Sequence, residues 1–391
     1  MEYRQLGNTK EKVSILGFGA MRLPTVEGTN SQIDYKKASE IFSYGIDNGI
    51  NIIDTAYSFH ANEVHGKAGN SEPFLGEFLE TGYREKVYLQ TKCPSWLINT
   101  EADLEKYLDH QLERLKTDYI DNYLLHGVNN ENWQNYKNAN VIEFLDNAIS
   151  EGKIKHVGFS THGTFETLLV LTMEYDKWEI GLTQMNYLDE TYQTGIEGLD
   201  YLASMNIGTE VMEPLRGGRL VENIPNEIMK MWDTSEEKRS PLEWALQYLW
   251  DMENVNCVFS GMQSLEQVKT NIEIASRSKV NMISENDKQL IKDVATEYKQ
   301  HKGNDCTSCG YCMPCPNGIN IPHCFREYNI GNILNNPKAS AMQYFTYFED
   351  NTLAHNCTLC GDCTSMCPQA LNIPEEMKKV KNFFGVEFNH F

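Results

Sequence analysis

The sequence predicts an α/β fold: a closed (β/α)8 barrel over residues 1–300, followed by a smaller, largely helical cysteine-rich domain over residues 301–391. Three observations predict it. Apolar runs of four to six residues alternate eight times with periodic charged segments in the first three hundred residues. Nine of the eleven cysteines fall between positions 306 and 367, and only Cys93 and Cys257 lie outside that window. The 391 residues are enough for a large core and a second domain.

The eight strand candidates are 16–20, 50–54, 87–92, 120–126, 156–160, 182–186, 208–213 and 256–260, rich in β-branched or aromatic residues. Helical spacing separates them. Over 101–115, Leu104, Leu108, Leu112 and Leu115 recur at spacings of four and three, with Thr100 as the cap. Over 241–250, Leu242, Ala245, Leu246 and Leu249 follow Ser240, and Pro241 takes the first helical position. Residues 3–6 and 13–16 read as a hairpin closing the lower end. A doubly wound sheet would need a glycine-rich phosphate turn, but Gly17-x-Gly19 runs on into Met21-Arg22-Leu23-Pro24. Leu290, Ile291, Val294 and Tyr298 mark a closing helix over 284–300.

Composition removes several classes of function. With 34 basic and 55 acidic side chains the formal charge is −21, which repels nucleic-acid backbones and anionic membranes. No run of eighteen apolar residues is present and the first fifteen residues carry charges, so a cytoplasmic protein is expected. Clustered thiols in that compartment read as metal ligands rather than disulfides.

Both cysteine groups begin C-x2-C-x2-C. The first is Cys306, Cys309, Cys312 and Cys315 followed by Pro316; the second is Cys357, Cys360, Cys363 and Cys367 followed by Pro368. Three thiolates at this spacing hold one face of a cubane, and the fourth, before proline, crosses to the other cluster in two-cluster ferredoxins. The expected assignment is two [4Fe–4S] clusters in a ferredoxin-like domain. One takes Cys306, Cys309, Cys312 and Cys367; the other takes Cys357, Cys360, Cys363 and Cys315. Zinc is the alternative for thiolate sets. The last gap of the first group is one residue short of the rule, leaving its exchanged ligand less secure. Cys324 reads as a buried free thiol, and Tyr344, Phe345, Tyr347 and Phe348 as core. Gly310 and Gly361 follow the second cysteine of each group, where a tight turn or close approach to a cluster asks for glycine.

Catalytic groups of a barrel stand at the carboxyl ends of its strands. Asp54, Lys92 and His126 end the second, third and fourth. A carboxylate holding an ammonium beside an imidazole can stabilise an alkoxide. Later strand ends carry Ser160 and His162, then Gln184, Asn186 and Tyr187, then Pro214, Leu215, Arg216, Gly217 and Gly218, then Ser260, Gly261 and Met262, with Gln267 and Asn271 on the following helix. These suit a nicotinamide site: amides for the carboxamide, Tyr187 to stack on the ring, glycines and a helix amino end for phosphates. Trp96 and Trp133 are placed to line the mouth, together with Arg216 and Tyr57.

The segments 51–60, 86–97, 117–127, 152–162, 184–190, 211–220 and 260–275 together closely resemble the aldo-keto reductase family, in particular its iron–sulfur-containing branch. The resemblance spans essentially the whole chain. It implies a TIM barrel that binds NADP(H) or NAD(H) and exchanges hydride with a small carbonyl or alcohol substrate. Asp54, Lys92 and His126 match the family's positions, but its tyrosine is Phe59 here. A phenyl ring has no proton to give, so Tyr57 or His126 is expected to act as the acid. Hydride carries two electrons while each cluster exchanges one, and no flavin signature bridges them. The clusters are therefore structural, dock a redox protein partner, or drain electrons through a second cofactor, with electron transfer preferred. The alternative is a barrel that has lost reductase chemistry and serves as an electron-transfer or sensing module.

Overall fold

The computed structural model describes residues 1–27, 29, 31–61, 68–346 and 348–385. Two short strands, β1 (Tyr3–Gln5) and β2 (Lys12–Ser14), pair antiparallel. Then come β3 (Leu16–Gly19), β4 (Ile52–Asp54), β5 (Tyr88–Cys93), β6 (Ile120–Leu125), β7 (Ile154–Thr161), β8 (Ile180–Gln184), β9 (Gly208–Met212) and β10 (Cys257–Ser260). Each pairs in parallel with the next and β10 returns to β3, so the eight close into a barrel. The barrel expected from the eight apolar runs is present.

Helices alternate with the strands: α1 (Tyr35–Asp47), α2 (Ser71–Leu79), α3 (Glu101–Leu115), α4 (Asn130–Asn138), α5 (Val141–Ser150), α6 (Phe165–Glu174), α7 (Gly195–Ser204), α8 (Asn226–Trp232), α9 (Pro241–Trp250) and α10 (Leu265–Arg277). The helix α3 begins where Asp103 turns its carboxylate back on Thr100, accepting the Thr100 backbone N–H at 2.9 Å. Its Leu104, Leu108 and Leu115 are buried. Each such side chain contributes roughly 1.5–3 kcal/mol.

The opening hairpin seals the floor. Leu6 and Val13 join Ile52, Leu124, Ile180, Leu182, Cys257 and Phe259 in one apolar layer. Gly7 has to be glycine there: its φ is +53°, and a Cβ would stand 2.2 Å from the Gly208 nitrogen.

The chain divides into two compact units, residues 1–214 with 243–284, and residues 215–242 with 285–391. The helix α11 (Glu285–Gln300) falls in the second unit, because Asp287 at its start accepts hydrogen bonds from Ser235 Oγ at 2.7 Å and Arg239 Nη1 at 2.8 Å. The second unit continues with α12 (Ile321–Ile333), α13 (Pro337–Thr346) and α14 (Ile373–Phe384). Its core includes Phe325, Tyr344, Leu353, Met377 and Val380, with Phe345, Phe348 and six of the cluster cysteines packed against it. The aromatic stripe is therefore core at Tyr344, Phe345 and Phe348; Tyr347 lies outside the described residues.

Candidate active site and thiolate centre

Asp54 ends β4 opposite Gln90 of β5, and Lys92 follows two residues on, facing the same side of the strand. Lys92 and Asp54 form a buried ion pair, and Lys92 Nζ also donates to the Thr55 carbonyl at 2.8 Å. An ammonium has three N–H donors, so these two contacts leave one for a ligand oxygen. Gln90 Nε2 donates to Asp54 Oδ1 at 3.0 Å and, across the barrel, to Glu210 Oε2 of β9 at 2.8 Å. Burial pushes the Glu210 carboxyl up to about 8, and the charge of Asp54 adds to it against the Gln90 hydrogen bond.

The Lys92 segment of β5 is clamped from outside. Glu72 of α2 accepts from Thr91 Oγ1 at 2.7 Å, from Gln111 Nε2 at 2.6 Å and from Arg114 Nε at 2.8 Å. Gln111 Nε2 also donates to the Lys92 carbonyl at 3.1 Å.

His126 follows β6 and reaches the same group. Burial holds its imidazole well below the ordinary histidine range, and the charges of Lys92 and His162 lower it further, so the ring is neutral. Its Nδ1 is buried and, among the described residues, has no hydrogen-bond partner. Trp96 lies against the imidazole at 5.2 Å between ring centroids and Phe59 edge-on at 6.2 Å. The Phe59 ring centroid is 5.1 Å from Lys92 Nζ. Phe59 thus borders both groups that a phenol there would serve.

Tyr57 is not brought to this group. Its hydroxyl is 3.4 Å from His110 Nδ1, its ring packs edge-on against Tyr107 and His110, and the Arg114 guanidinium lies 5.3 Å from its centroid. All three partners belong to α3. Trp133 corrects the expectation for the mouth: it is buried, donates from Nε1 to Glu174 Oε2 at 2.8 Å and packs on Trp178. Trp96 is 42% exposed and remains at the rim.

Along the later strand ends, Asp189 gathers two predicted amides: Gln184 Nε2 and Asn186 Nδ2 each donate to its Oδ2 at 2.7 Å. Asn186 Oδ1 is taken by the Leu188 N–H at 3.0 Å, whereas the buried Gln184 Oε1 has no partner. Tyr187 is buried, edge-on to Tyr248. Ser160 Oγ accepts from the Gly127 N–H at 2.9 Å, and the exposed His162 has its Nδ1 3.2 Å from Gln193 Oε1. Asn271 Nδ2 donates to Ser260 Oγ at 3.0 Å, and Gln267 Oε1 accepts from the Gln263 N–H at 2.7 Å at the start of α10. Met262 is buried, and Gly261 lies against Arg22. Pro214 belongs to the barrel unit, while Leu215, Arg216, Gly217 and Gly218 fall in the second unit. Gln90, Glu210, Glu72 and Asp189 went unread in the sequence; a charged or amide side chain at an inward position of a buried strand is the signal for the first two.

In the second unit, the two cysteine motifs share one backbone course. Ser308 and Leu359 take positive φ before the second cysteine, and Gly310 and Gly361 take it after, at +77° and +89°. Successive turns of this kind point backbone N–H groups inward. Cys306, Cys309, Cys312 and Cys367 line a single concavity with Pro322, Phe325 and Leu371. Burial raises the Cys363 thiol, and the thiols adding to it are Cys315, Cys357 and Cys360. Among the described residues no group of three or more His, Cys, Asp or Glu closes on a single metal ion. A cubane asks for a wider set, because each thiolate binds a different iron. Cys324 is buried and its thiol is pushed up by burial to about 12, with Sγ 3.8 Å from the Thr352 carbonyl and 4.0 Å from the Tyr344 hydroxyl.

The fold and these residues belong to a known class. Residues 15–288 match the model of the aldo/keto reductase family and residues 305–372 that of a 4Fe-4S dicluster domain. The chain is a member of the aldo/keto reductase family of oxidoreductases and carries a C-terminal 4Fe–4S ferredoxin-like domain. It is 31% identical over 236 residues to 6-dehydroglucose reductase of Novosphingobium aromaticivorans, covering 56% of this chain and 70% of that protein. It is 28% identical to L-galactose dehydrogenase of Arabidopsis thaliana over 70% of this chain and 87% of that one. Among solved structures, aldo-keto reductase AKR11C1 from Bacillus halodurans (holo form) superposes with a TM-score of 0.61 at 25% identity, over 75% of this chain and 96% of that chain. Among the described residues, no helix is long and apolar enough to cross a membrane.

Proposed function

We propose that the barrel exchanges hydride between NADP(H) or NAD(H) and the carbonyl or alcohol carbon of a small substrate, and that the tail holds two [4Fe–4S] clusters that pass single electrons. The observation that carries the first part is the convergence of the Asp54–Lys92 pair and the neutral His126 around one Phe59 ring. The unpartnered Gln184 Oε1 is the acceptor a carboxamide N–H needs, so the chain's residues fit a nicotinamide. Bound reduced nicotinamide supplies two electrons and one hydrogen nucleus to the carbonyl carbon.

The chain's residues supply the proton and the orientation. The free N–H of Lys92 holds the substrate oxygen, and as charge builds there Lys92 gives that proton, becoming a neutral amine that recovers one from water. Asp54 fixes the ammonium in place. His126, neutral, orients the oxygen by hydrogen bonding and does not supply net charge. In oxidation each proton runs the other way. Trp96 and Phe59 form an aromatic wall suited to the apolar face of a sugar or cyclic ketone, and two relatives named for sugar substrates support that class.

Bound clusters supply one-electron exchange. Cys309 and Cys360 are exposed, and Tyr311, Met313, Leu359 and Met366 stand exposed within the same two motifs, a rim suited to docking a redox protein. Phe59 favours a second reading, in which the barrel binds nucleotide without reducing carbonyls. Turnover of a sugar and cyclic-ketone panel with NADPH and NADH under anaerobic conditions decides: binding without turnover in either direction favours the second reading. Rapid mixing of NADPH with oxidised protein tests the clusters, since bleaching of their absorbance reports electron flow.

A further inference from the structure

Glu210 is a wholly buried acid in the barrel that the Asp54–Lys92 ion pair does not use. It sits in the middle of β9, paired in register with Leu182 of β8 and Cys257 of β10. Asp54 faces it from β4, Gln90 and Lys92 from β5, Glu11 from the segment before β2, and the Cys257 thiol from β10. Its carboxyl is wholly enclosed and its Oε1 has no hydrogen-bond partner.

The geometry couples it to the catalytic pair through one atom. Gln90 Nε2 donates to Asp54 Oδ1 and to Glu210 Oε2 at 3.0 and 2.8 Å. Around that amide stand two carboxyl groups and a single ammonium. If both acids were ionised, one negative charge would be left uncompensated among buried groups, which is strongly unfavourable. The group without an ammonium keeps the proton. Asp54 has Lys92, and Glu210 does not.

We propose that Glu210 holds a proton in the barrel core and acts as a positioning residue, keeping Asp54 the sole counter-charge of Lys92 so that the ammonium keeps the placement from which it protonates the substrate oxygen. The proposal rests on the reductase reading for its consequence, though not for the protonation itself. When Glu210 ionises, its proton leaves to solvent and a second negative charge faces Lys92. That charge draws the ammonium away from the substrate oxygen and competes for the Gln90 amide that also serves Asp54. Proton donation then slows with no loss of cofactor binding, because Glu210 bonds to Gln90 rather than to a residue of the expected nucleotide site.

The test pairs two readouts on the full-length holoprotein, wild type and Glu210→Gln. Infrared titration should show, in the difference between wild type and E210Q, the C=O stretch of one protonated carboxylic acid at neutral pH that disappears toward alkaline pH, Glu11 contributing a band common to both proteins. The profile of kcat against pH should fall roughly fivefold or more through the same alkaline range in wild type, and less than about twofold in E210Q. KM for the cofactor should stay together in the two proteins. Glu210→Asp provides the second variant: a shorter acid keeps the titration but moves its midpoint. Identical acid bands in wild type and E210Q at neutral pH, leaving none in their difference, overturn the proposal, as do superimposable kcat profiles. If wild type turns over no carbonyl at any pH, the reductase reading fails, and the infrared titration still judges the stored proton.

Discussion

The ammonium of Lys92 stands 5.1 Å from the centroid of the Phe59 ring, where the family resemblance implies a phenol. A cation beside a π face is attracted by the ring quadrupole, worth about 0.5–2 kcal/mol. Phe59 therefore helps hold Lys92 in place, and in the proposed mechanism proton donation falls to Lys92. This arrangement gives the first prediction. Phe59→Tyr restores an acid next to an ammonium that lowers its pKa, and general acid catalysis contributes typically ~10²–10⁴-fold. We expect kcat for carbonyl reduction to rise at least about tenfold, with cofactor KM unchanged, measured by steady-state kinetics. No change would mean that protonation does not limit the rate.

Gln184 is anchored through its nitrogen to Asp189, presenting its oxygen. Gln184→Leu removes one acceptor for a carboxamide, a hydrogen bond worth roughly 0.5–1.5 kcal/mol. Nucleotide affinity, followed by quenching of tryptophan fluorescence, should weaken about three- to tenfold. Asn186→Leu breaks the turn that places Asp189, so it should reduce stability as well.

The stability of the barrel should decline toward alkaline pH through Glu210. Its folded-state value, about 8, lies above the ordinary 4.5, so the folded chain holds a proton that the unfolded chain has lost between those limits. Stability from this group is full below 4.5 and lost as pH rises to about 8. Glu11, raised chiefly by burial to about 7, adds the same sign over a narrower window. The melting temperature of E210Q should fall less than that of wild type between the two ends of the range, while retaining the Glu11 part. Parallel melting curves across that range would remove Glu210 as the source.

Each thiolate set should be separable. Cys306→Ser and Cys357→Ser break different sets, so each variant is expected to lose about half the iron, from about eight to about four atoms per chain. Iron and sulfide analysis of anaerobically purified protein measures it. Loss of all iron from both variants would show that the sets do not load independently. Cys324→Ala should leave the iron content unchanged, since that thiol is buried beside Tyr344 and Thr352 rather than among the ligands.

Much of the fold is readable because local physics decides it. The leucine spacing of 101–115 and the Ser240-Pro241 start both delimit helices that the structure repeats residue for residue. Strand limits moved by two residues at the start of β4, which begins later than its apolar run, and at the start of β7 and β8, which begin earlier, because ladder pairing with the neighbouring strands sets the ends. Asp54, Lys92 and His126 could be found because strand ends in a barrel converge. Glu210 could not be paired with Gln90 from the sequence, since 120 residues separate them and only barrel closure brings them together. Tyr57 and Trp133 sit in or just after connections between strand and helix. There side-chain direction follows from packing on α3 and α6 rather than from spacing, so position alone misplaced Trp133 at the mouth.

The central claim is that hydride passes directly from nicotinamide to carbon over Lys92. Single-turnover reduction with NADPH or NADH carrying deuterium on the transferable face of C4 tests it most directly. The account predicts one deuterium on the new carbinol carbon and none in water, with Lys92→Met abolishing the transfer while nucleotide still binds. An unlabelled alcohol, or label lost to solvent as the clusters bleach, would contradict it.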